Sequence, residues 1–278
     1  MRSLTVKTAL LSDIHGNSPA LQATLEDIQR AACQKVFMLG DLINGVDPHG
    51  CVDMLRTWAD KHQVELACIQ GNAEAYLNTP DRHLLPKQDE EWNSDMIHLV
   101  QWWQDQLTAS DLNWIAAFPT TITWHQTFLV HDSPLDRVAV QQTTEIPPQY
   151  REWFFHGRGL LPTTTNDIWE QTIAHMRASG YQRVFCGHTH VPFLKTLPGG
   201  LLCNIGSTGM PLDGDYRPSW VLLENDTVTI CRVDYDVSRI HALIDSTPDY
   251  YDFKMPGYRE AYKKCLATGR HWREHIRS

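Results

Sequence analysis

Five short motifs rich in histidine, aspartate and asparagine follow apolar segments of the chain. In chain order they are Ser12-Asp13-Ile14-His15, Gly40-Asp41, Gly71-Asn72, His131 and Gly187-His188-Thr189-His190. Imidazole and carboxylate side chains are the ligands with which a pair of divalent metals can hold a water molecule and a phosphate. Each motif alone is common in a chain with 14 histidines. The ordered set of five is what predicts a two-metal hydrolytic site.

Short strands are predicted to carry these motifs. Eight apolar or β-branched segments bounded by glycine, aspartate or asparagine indicate them, at residues 6–11, 36–39, 64–69, 127–130, 184–186, 201–205, 220–223 and 228–233. Between the first two strands we expect a helix with Ser18 as N-cap and Pro19 in its first turn. Residues 49–62 repeat the helical spacing. This order predicts parallel strands covered by helices, with the motifs gathered at one edge of the sheet.

The rest of the chain predicts helices and one long insertion. A tryptophan-rich stretch at residues 76–118 has a helical period, which favours a buried helix face over a surface that stacks a nucleobase. Residues 133–165 form an irregular insertion that contains His156 and Arg158. These two side chains could clamp a phosphate, although a solvated loop is the favoured explanation. We expect the aromatic C-terminal segment to pack as a helix on the core or on another subunit.

Composition excludes several classes of function. The 278 residues are 42% hydrophobic and 21% charged, which predicts one large globular domain with insertions. A net charge of -9 and a pI near 5.8 argue against general binding to nucleic acids or anionic membranes. Seven widely spaced cysteines indicate reduced core residues of a cytoplasmic protein. We expect neither a secretion signal nor a membrane-spanning helix.

The motifs resemble those of the calcineurin-like metallophosphoesterase family over roughly residues 5–235. A closer resemblance to its bacterial and archaeal branch of small phosphodiesterases rests on Asp41-Leu42 with Asp47-Pro48, residues 130–134, and Asn204-Ile205-Gly206-Ser207 with Asp213-Gly214-Asp215. The resemblance implies an α/β fold, a four-layer αββα sandwich of two mixed β-sheets flanked by helices. It also implies a metallophosphoesterase domain at residues 1–235, with insertions at about 76–118 and 133–165. A C-terminal helical extension at residues 236–278 follows.

The same resemblance assigns the metal ligands. It implies a first ligand set of Asp13, His15, Asp41 and His190, and a second ligand set of Asp41, Asn72, His131 and His188, so that Asp41 bridges the two ions. A hydroxide between the ions would attack phosphorus, with Asp41, Asn72 and His188 as the catalytic residues. We expect two divalent or trivalent ions, manganese or iron or both. Zinc, nickel and cobalt also suit such ligands.

Three positions depart from the family pattern. Ala73 stands where a histidine commonly protonates the leaving group, and the absence of that acid favours phosphodiester over monoester substrates. Glu74, His156 or a metal-bound water could take over this task. Asp132 replaces a glycine and adds a carboxylate beside the second metal. Ile205 replaces a proline and changes a loop but no ligand.

We therefore consider three functions. The leading hypothesis is a phosphodiesterase that hydrolyses a small phosphorylated or nucleotide substrate. A phosphomonoesterase or dinucleoside polyphosphatase is the second, and a non-catalytic scaffold of the same fold is the third. Candidate substrate contacts are Asn17, His156 and Arg158, although a local cap or turn is the favoured explanation of Asn17. A homo-oligomer is compatible with the aromatic C-terminal segment.

Overall fold

The computed structural model describes residues 6–78, 90–134, 160–162, 164, 166–247, 250 and 257–276. Within this part of the chain there are ten strands and nine helices. The strands are β1 (Thr8–Leu11), β2 (Lys35–Met38), β3 (Glu65–Cys68), β4 (Thr121–Trp124), β5 (Thr127–Val130), β6 (Arg183–Cys186), β7 (Phe193–Leu197), β8 (Gly200–Asn204), β9 (Ser219–Glu224) and β10 (Thr227–Arg232). The helices are α1 (Ser18–Arg30), α2 (Pro48–His62), α3 (Asn72–Asn78), α4 (Glu90–Gln106), α5 (Ala109–Ala116), α6 (Asn166–Ser179), α7 (Val237–Asp245), α8 (Tyr258–Thr268) and α9 (Trp272–Ile276).

The strands form two mixed sheets of five. In the first sheet the order is β10-β9-β1-β2-β3, and in the second it is β4-β5-β6-β8-β7. Strands β1, β2 and β3 run parallel, as do β5, β6 and β8, while the remaining strands are antiparallel to their neighbours. The parallel strands of each sheet therefore end at one edge, where the loops that follow them also lie.

Three apolar layers hold the sheets and helices together. Between the sheets, side chains such as Leu10 and Phe37 of the first sheet meet Leu129 and Phe185 of the second. A larger cluster lies between the outer face of the first sheet and its helices, and a smaller one lies between the second sheet and α6. The predicted four-layer sandwich of two mixed sheets is confirmed. Because alternate strand residues face opposite apolar layers, the central strands are buried on both faces.

All eight predicted strands are present, together with two that the sequence analysis missed. The missed strands, β4 and β7, are the two edge strands of the second sheet. Strand β4 pairs antiparallel with β5, and β7 pairs antiparallel with β8. In the described part of the expected C-terminal helical extension lie the helices α7, α8 and α9, whose apolar side chains join the large helix-side cluster. Trp103 of the tryptophan-rich α4 is fully buried, in agreement with a core role. No helix in the described ranges is long and apolar enough to cross a membrane.

The N-cap of α1 differs from the prediction. Asn17, and not Ser18, occupies this position, because the Asn17 side chain accepts a hydrogen bond from the N–H group of Ala20 at 3.1 Å. Both residue types are good N-caps. Asn17 is also held from outside the helix, since its amide donates to the carbonyl oxygen of Gly209 at 2.8 Å. This distant contact fixes where the helix begins.

Candidate metal centre

The candidate ligands lie on tight turns at the carboxyl ends of the parallel strands. Five of the seven have left-handed backbone conformations, with φ angles of 53° at Asp13, 49° at His15, 55° at Asp41, 67° at His188 and 58° at His190. This region is unfavourable for residues with a Cβ atom and persists where the surrounding structure enforces it, often at functional sites. The turns are therefore built to aim these side chains at a common point.

A loop after β8 holds the first of these turns. The Ser207 hydroxyl donates to the carbonyl oxygen of Asp13 at 2.6 Å, and the Gly209 N–H group donates to the same oxygen at 2.9 Å. A Cβ atom at Gly209 would lie 1.6 Å from the carbonyl oxygen of Ile14, so only glycine fits. The buried Asn204 side chain donates to the Gly187 carbonyl oxygen at 2.7 Å, which ties this loop to the turn that carries His188. Sequence reasoning did not assign a supporting role to these residues.

Three residues meet at the first candidate position. The Nε2 atoms of His15 and His190 are 3.0 Å apart, and they lie 3.7 Å and 3.3 Å from Oδ1 of Asp13. Each ring bonds to a backbone carbonyl through Nδ1, His15 with Asn44 at 3.1 Å and His190 with Met210 at 2.6 Å. A carbonyl can only accept a hydrogen bond, so Nδ1 carries the proton and a neutral ring presents its Nε2 lone pair.

The second candidate position is formed in a similar way. His131 donates through Nδ1 to the Leu39 carbonyl oxygen at 2.7 Å, and its Nε2 atom lies 3.2 Å from Oδ1 of Asn72. The same Asn72 oxygen lies 3.1 Å from Nδ1 of His188. Asp41 lies between the two positions, with Oδ1 3.6 Å from Nε2 of His131 and Oδ2 3.8 Å from Nε2 of His15.

This arrangement suits metal ions. Because Nδ1 of each ring donates to a backbone carbonyl, the Nε2 atoms of His15, His131 and His190 can each offer a lone pair to a cation that displaces any proton they carry. Oδ1 of Asp13 is buried and has no hydrogen-bond partner among the described residues. Two groups have ligand atoms that all lie within 4.8 Å of one another, namely Asp13-His15-His190 and Asp13-Asp41-His131. The donor set therefore fits two divalent cations.

Charge and burial act against each other at these side chains. Burial alone would raise the pKa of the Asp13 carboxyl, but the neighbouring His190 and His131 hold it well below its usual range. Burial lowers the pKa of His131, yet the charges of Asp41 and Asp13 outweigh it and raise that pKa to about 9. The pKa of His188 falls to about 4 through burial and the nearby His131. The seven cysteine thiols have raised pKa values, chiefly through burial, and are free and protonated.

The candidate substrate contacts are placed less favourably. Asn17 is buried, with its oxygen bonded to Ala20 N–H and its amide bonded to Gly209 and to the Tyr235 hydroxyl at 3.3 Å. Its polar atoms are thus engaged within the protein, which favours a structural role. His156 and Arg158 lie outside the described residues.

The environments of Ala73 and Glu74, which follow Asn72, argue against a role for either residue in proton transfer. Ala73 is fully buried, and its N–H group donates to Oδ1 of Asp41 at 2.9 Å. Glu74, considered above as a substitute acid, is fully buried with both carboxylate oxygens bonded to backbone N–H groups. It supports the turns rather than facing a leaving group.

Comparison with known proteins agrees with this geometry. Residues 6–227 match the model of the calcineurin-like phosphoesterase superfamily domain. The chain belongs to this family. An uncharacterised protein of Methanocaldococcus jannaschii, MJ0912, is 24% identical over 255 residues, which cover 85% of this chain and 90% of that protein. The family and the two ligand groups together indicate a phosphoester hydrolase that binds divalent metals.

Two solved structures share the fold over nearly the whole chain. The metallophosphoesterase from Sphaerobacter thermophilus is 23% identical, with a TM-score of 0.62 over 95% of this chain and 99% of that one. The hypothetical protein PH1004 from Pyrococcus horikoshii OT3 is 17% identical, with a TM-score of 0.70 over 96% of this chain and 99% of that one. The identification of the family from the sequence motifs is confirmed.

Proposed function

We propose that the protein is a dinuclear-metal phosphodiesterase that acts on a small phosphorylated or nucleotide substrate. The first ligand set would hold one ion and the second ligand set the other, with manganese or iron as the expected metals. Ions at this site would supply Lewis acidity to the phosphoryl oxygens and a nucleophilic water at neutral pH. The chain contributes the fixed geometry, since its turns and backbone carbonyls orient the side chains before a metal arrives.

The buried cluster of potential ligand atoms is the observation that most supports a metal-dependent enzyme over a scaffold. Imidazole Nε2 atoms, which the backbone carbonyl contacts at Nδ1 leave free to bind a cation, converge with Asp13, Asp41 and Asn72 in a buried cluster. A scaffold that only binds partners has no need of such a cluster. The cost of burying its carboxylates without cations supports a role in binding metal.

The preference for diesters is supported by Ala73. This position offers only a methyl group, which is buried against the apolar cluster of the helices. A phosphomonoester with a poor leaving group gains more from protonation of that group than an activated diester does. A site without a side-chain acid at this position therefore suits diesters and activated esters.

Metal-stripped protein should be tested with bis(p-nitrophenyl) phosphate and with p-nitrophenyl phosphate after separate addition of Mn²⁺, Fe²⁺, Co²⁺, Ni²⁺ or Zn²⁺. We expect metal-restored hydrolysis with the higher kcat/KM for the diester. A higher value for the monoester would favour a phosphomonoesterase. Metal binding without hydrolysis of either ester would favour the scaffold.

A further inference from the structure

Glu74 joins two separate turns of the metal centre. It lies in the first turn of α3 and is completely buried, a rare situation for glutamate unless it has partners. Its Oε2 atom accepts hydrogen bonds from the N–H groups of Asp41 at 2.9 Å and Gly71 at 2.8 Å. Its Oε1 atom accepts one from Leu42 at 2.8 Å. The donors belong to the turn after β2 and the turn after β3.

These two turns are in direct backbone contact. A Cβ atom on Gly40 would lie 2.4 Å from the nitrogen of Gly71, and one on Gly71 would lie 2.2 Å from Oδ1 of Asp41. The Asp41 carboxylate in turn accepts a hydrogen bond from the Ala73 N–H group, at the start of α3, at 2.9 Å. A small change in the spacing of the turns would therefore move Asp41 relative to Asn72.

We propose that Glu74 is a positioning residue that fixes the spacing and orientation of Asp41 and Asn72. Burial and the charge of Asp41 raise the pKa of the Glu74 carboxyl, while the three backbone N–H groups favour the charged form of Glu74. This inference rests on the proposed function, because the placement of Asp41 and Asn72 matters here through the metals they would hold.

The chemistry requires a carboxylate of this length. Three N–H groups need acceptors, and a glutamine at position 74 would turn its NH₂ group toward at least one of them. An aspartate would be one methylene shorter and would not reach both turns from the same backbone position. Glu74→Gln and Glu74→Asp therefore disturb the hydrogen bonds between the two turns in different ways, and both keep a polar side chain at position 74.

The test is calorimetric titration of the metal-stripped full-length chain with Mn²⁺, together with the visible spectrum of its Co²⁺ form. We expect Glu74→Gln to weaken metal binding by about 10- to 100-fold, as other residues that orient metal ligands do, and to alter the Co²⁺ spectrum. Glu74→Asp should show a smaller loss. Glu26→Gln, on the exposed face of α1, is the matched control and should bind like the unmodified protein.

Two results would overturn the assignment. In one, Glu74→Gln lowers the thermal stability of the metal-free protein but leaves the affinity and the spectrum unchanged, as a purely structural residue would. In the other, Glu74→Gln fails to fold and Glu74→Asp folds with unchanged affinity and spectrum. If the unmodified protein itself binds no metal, the proposed function fails together with this inference. That result is distinguishable, because the first two require an unmodified protein that binds.

Discussion

The two ligand sets differ in how tightly the protein holds them. In the first set, Asp13, His15 and His190 are at most 5% exposed, and both rings are anchored to backbone carbonyls. In the second set, His131 is also buried and bonded to the Leu39 carbonyl oxygen, but Asn72 and His188 are half-buried, and the Nδ1 atom of His188 contacts the Asn72 side chain. Rigid, buried ligands favour tight metal binding, while partly exposed ones leave room for exchange and for substrate.

Asp41→Ala should damage both ligand sets at once and so remove the difference between them, because Asp41 belongs to both. We expect activity to fall by about three orders of magnitude, equivalent to about 4 kcal/mol of transition-state stabilisation. Metal analysis should also show reduced occupancy of both positions. Asp53→Ala on the exposed side of α2 is the control. Retention of both metals by Asp41→Ala would contradict a bridging role.

His190→Ala and His188→Ala should separate the two sets. His190→Ala removes a fully buried, anchored ligand, and we expect excess metal not to restore its activity. His188→Ala should lose about 10- to 100-fold at limiting metal, or about 1.4 to 2.7 kcal/mol, and recover in part at millimolar Mn²⁺. Activity measured against metal concentration for both variants tests this. Equal recovery would show that the two sets are equivalent.

A change of pH should act on the second set through His131. In the metal-free protein its pKa is raised from 6.5 to about 9, so a metal that binds at pH 7 must displace this proton. We expect affinity at this position to rise from pH 7 to pH 9. Calorimetry in buffers with different ionisation enthalpies should detect the proton that is released.

The same shift affects the stability of the metal-free fold with a defined sign. Because the folded pKa of His131 exceeds the unfolded value, its contribution is complete below about pH 6.5 and is lost as the pH rises through about 9. Thermal unfolding of His131→Ala beside the unmodified protein isolates this contribution. A pH-independent difference between them would contradict it.

Asn17→Ala should have the smallest effect and should leave the comparison of the two sets intact. It removes the N-cap of α1, which typically costs about 0.5 to 2 kcal/mol. Urea unfolding at fixed pH measures this loss. Because Asn17 has its polar atoms engaged within the protein, KM for the diester should not change. A large rise in KM would instead support the predicted contact with substrate.

The strands and the convergence of the motifs could be predicted because strand ends are visible in the sequence. Apolar runs that stop at Asp13, Asp41 or His131 define both a strand and the edge where it delivers a polar side chain. The missed β4 is Thr121-Ile122-Thr123-Trp124, in which threonine alternates with apolar side chains, a pattern typical of a strand. It was missed because the stretch follows a helix and carries no motif.

The supporting contacts could not be predicted in the same way. Gly209 is required only because the Ile14 carbonyl oxygen approaches it closely, and no local pattern encodes an approach between residues so far apart in the chain. Glu74 could be read from the sequence as an acid beside Asn72. Its bonds to the turn after β2 depend on how two strands lie side by side. Long-range packing, not propensity, decides these roles.

The position of β1 has a consequence for biosynthesis. This strand lies between β2 and β9, and the turn after it is held by the loop that follows β8. At about 5 to 20 residues per second, the ribosome completes β9 roughly 10 to 40 seconds after β1. During that interval β1 lacks its neighbour β9, and for most of it the first ligand set also lacks His190. The first ligand set is therefore complete, and held by the loop after β8, only late in synthesis or after it.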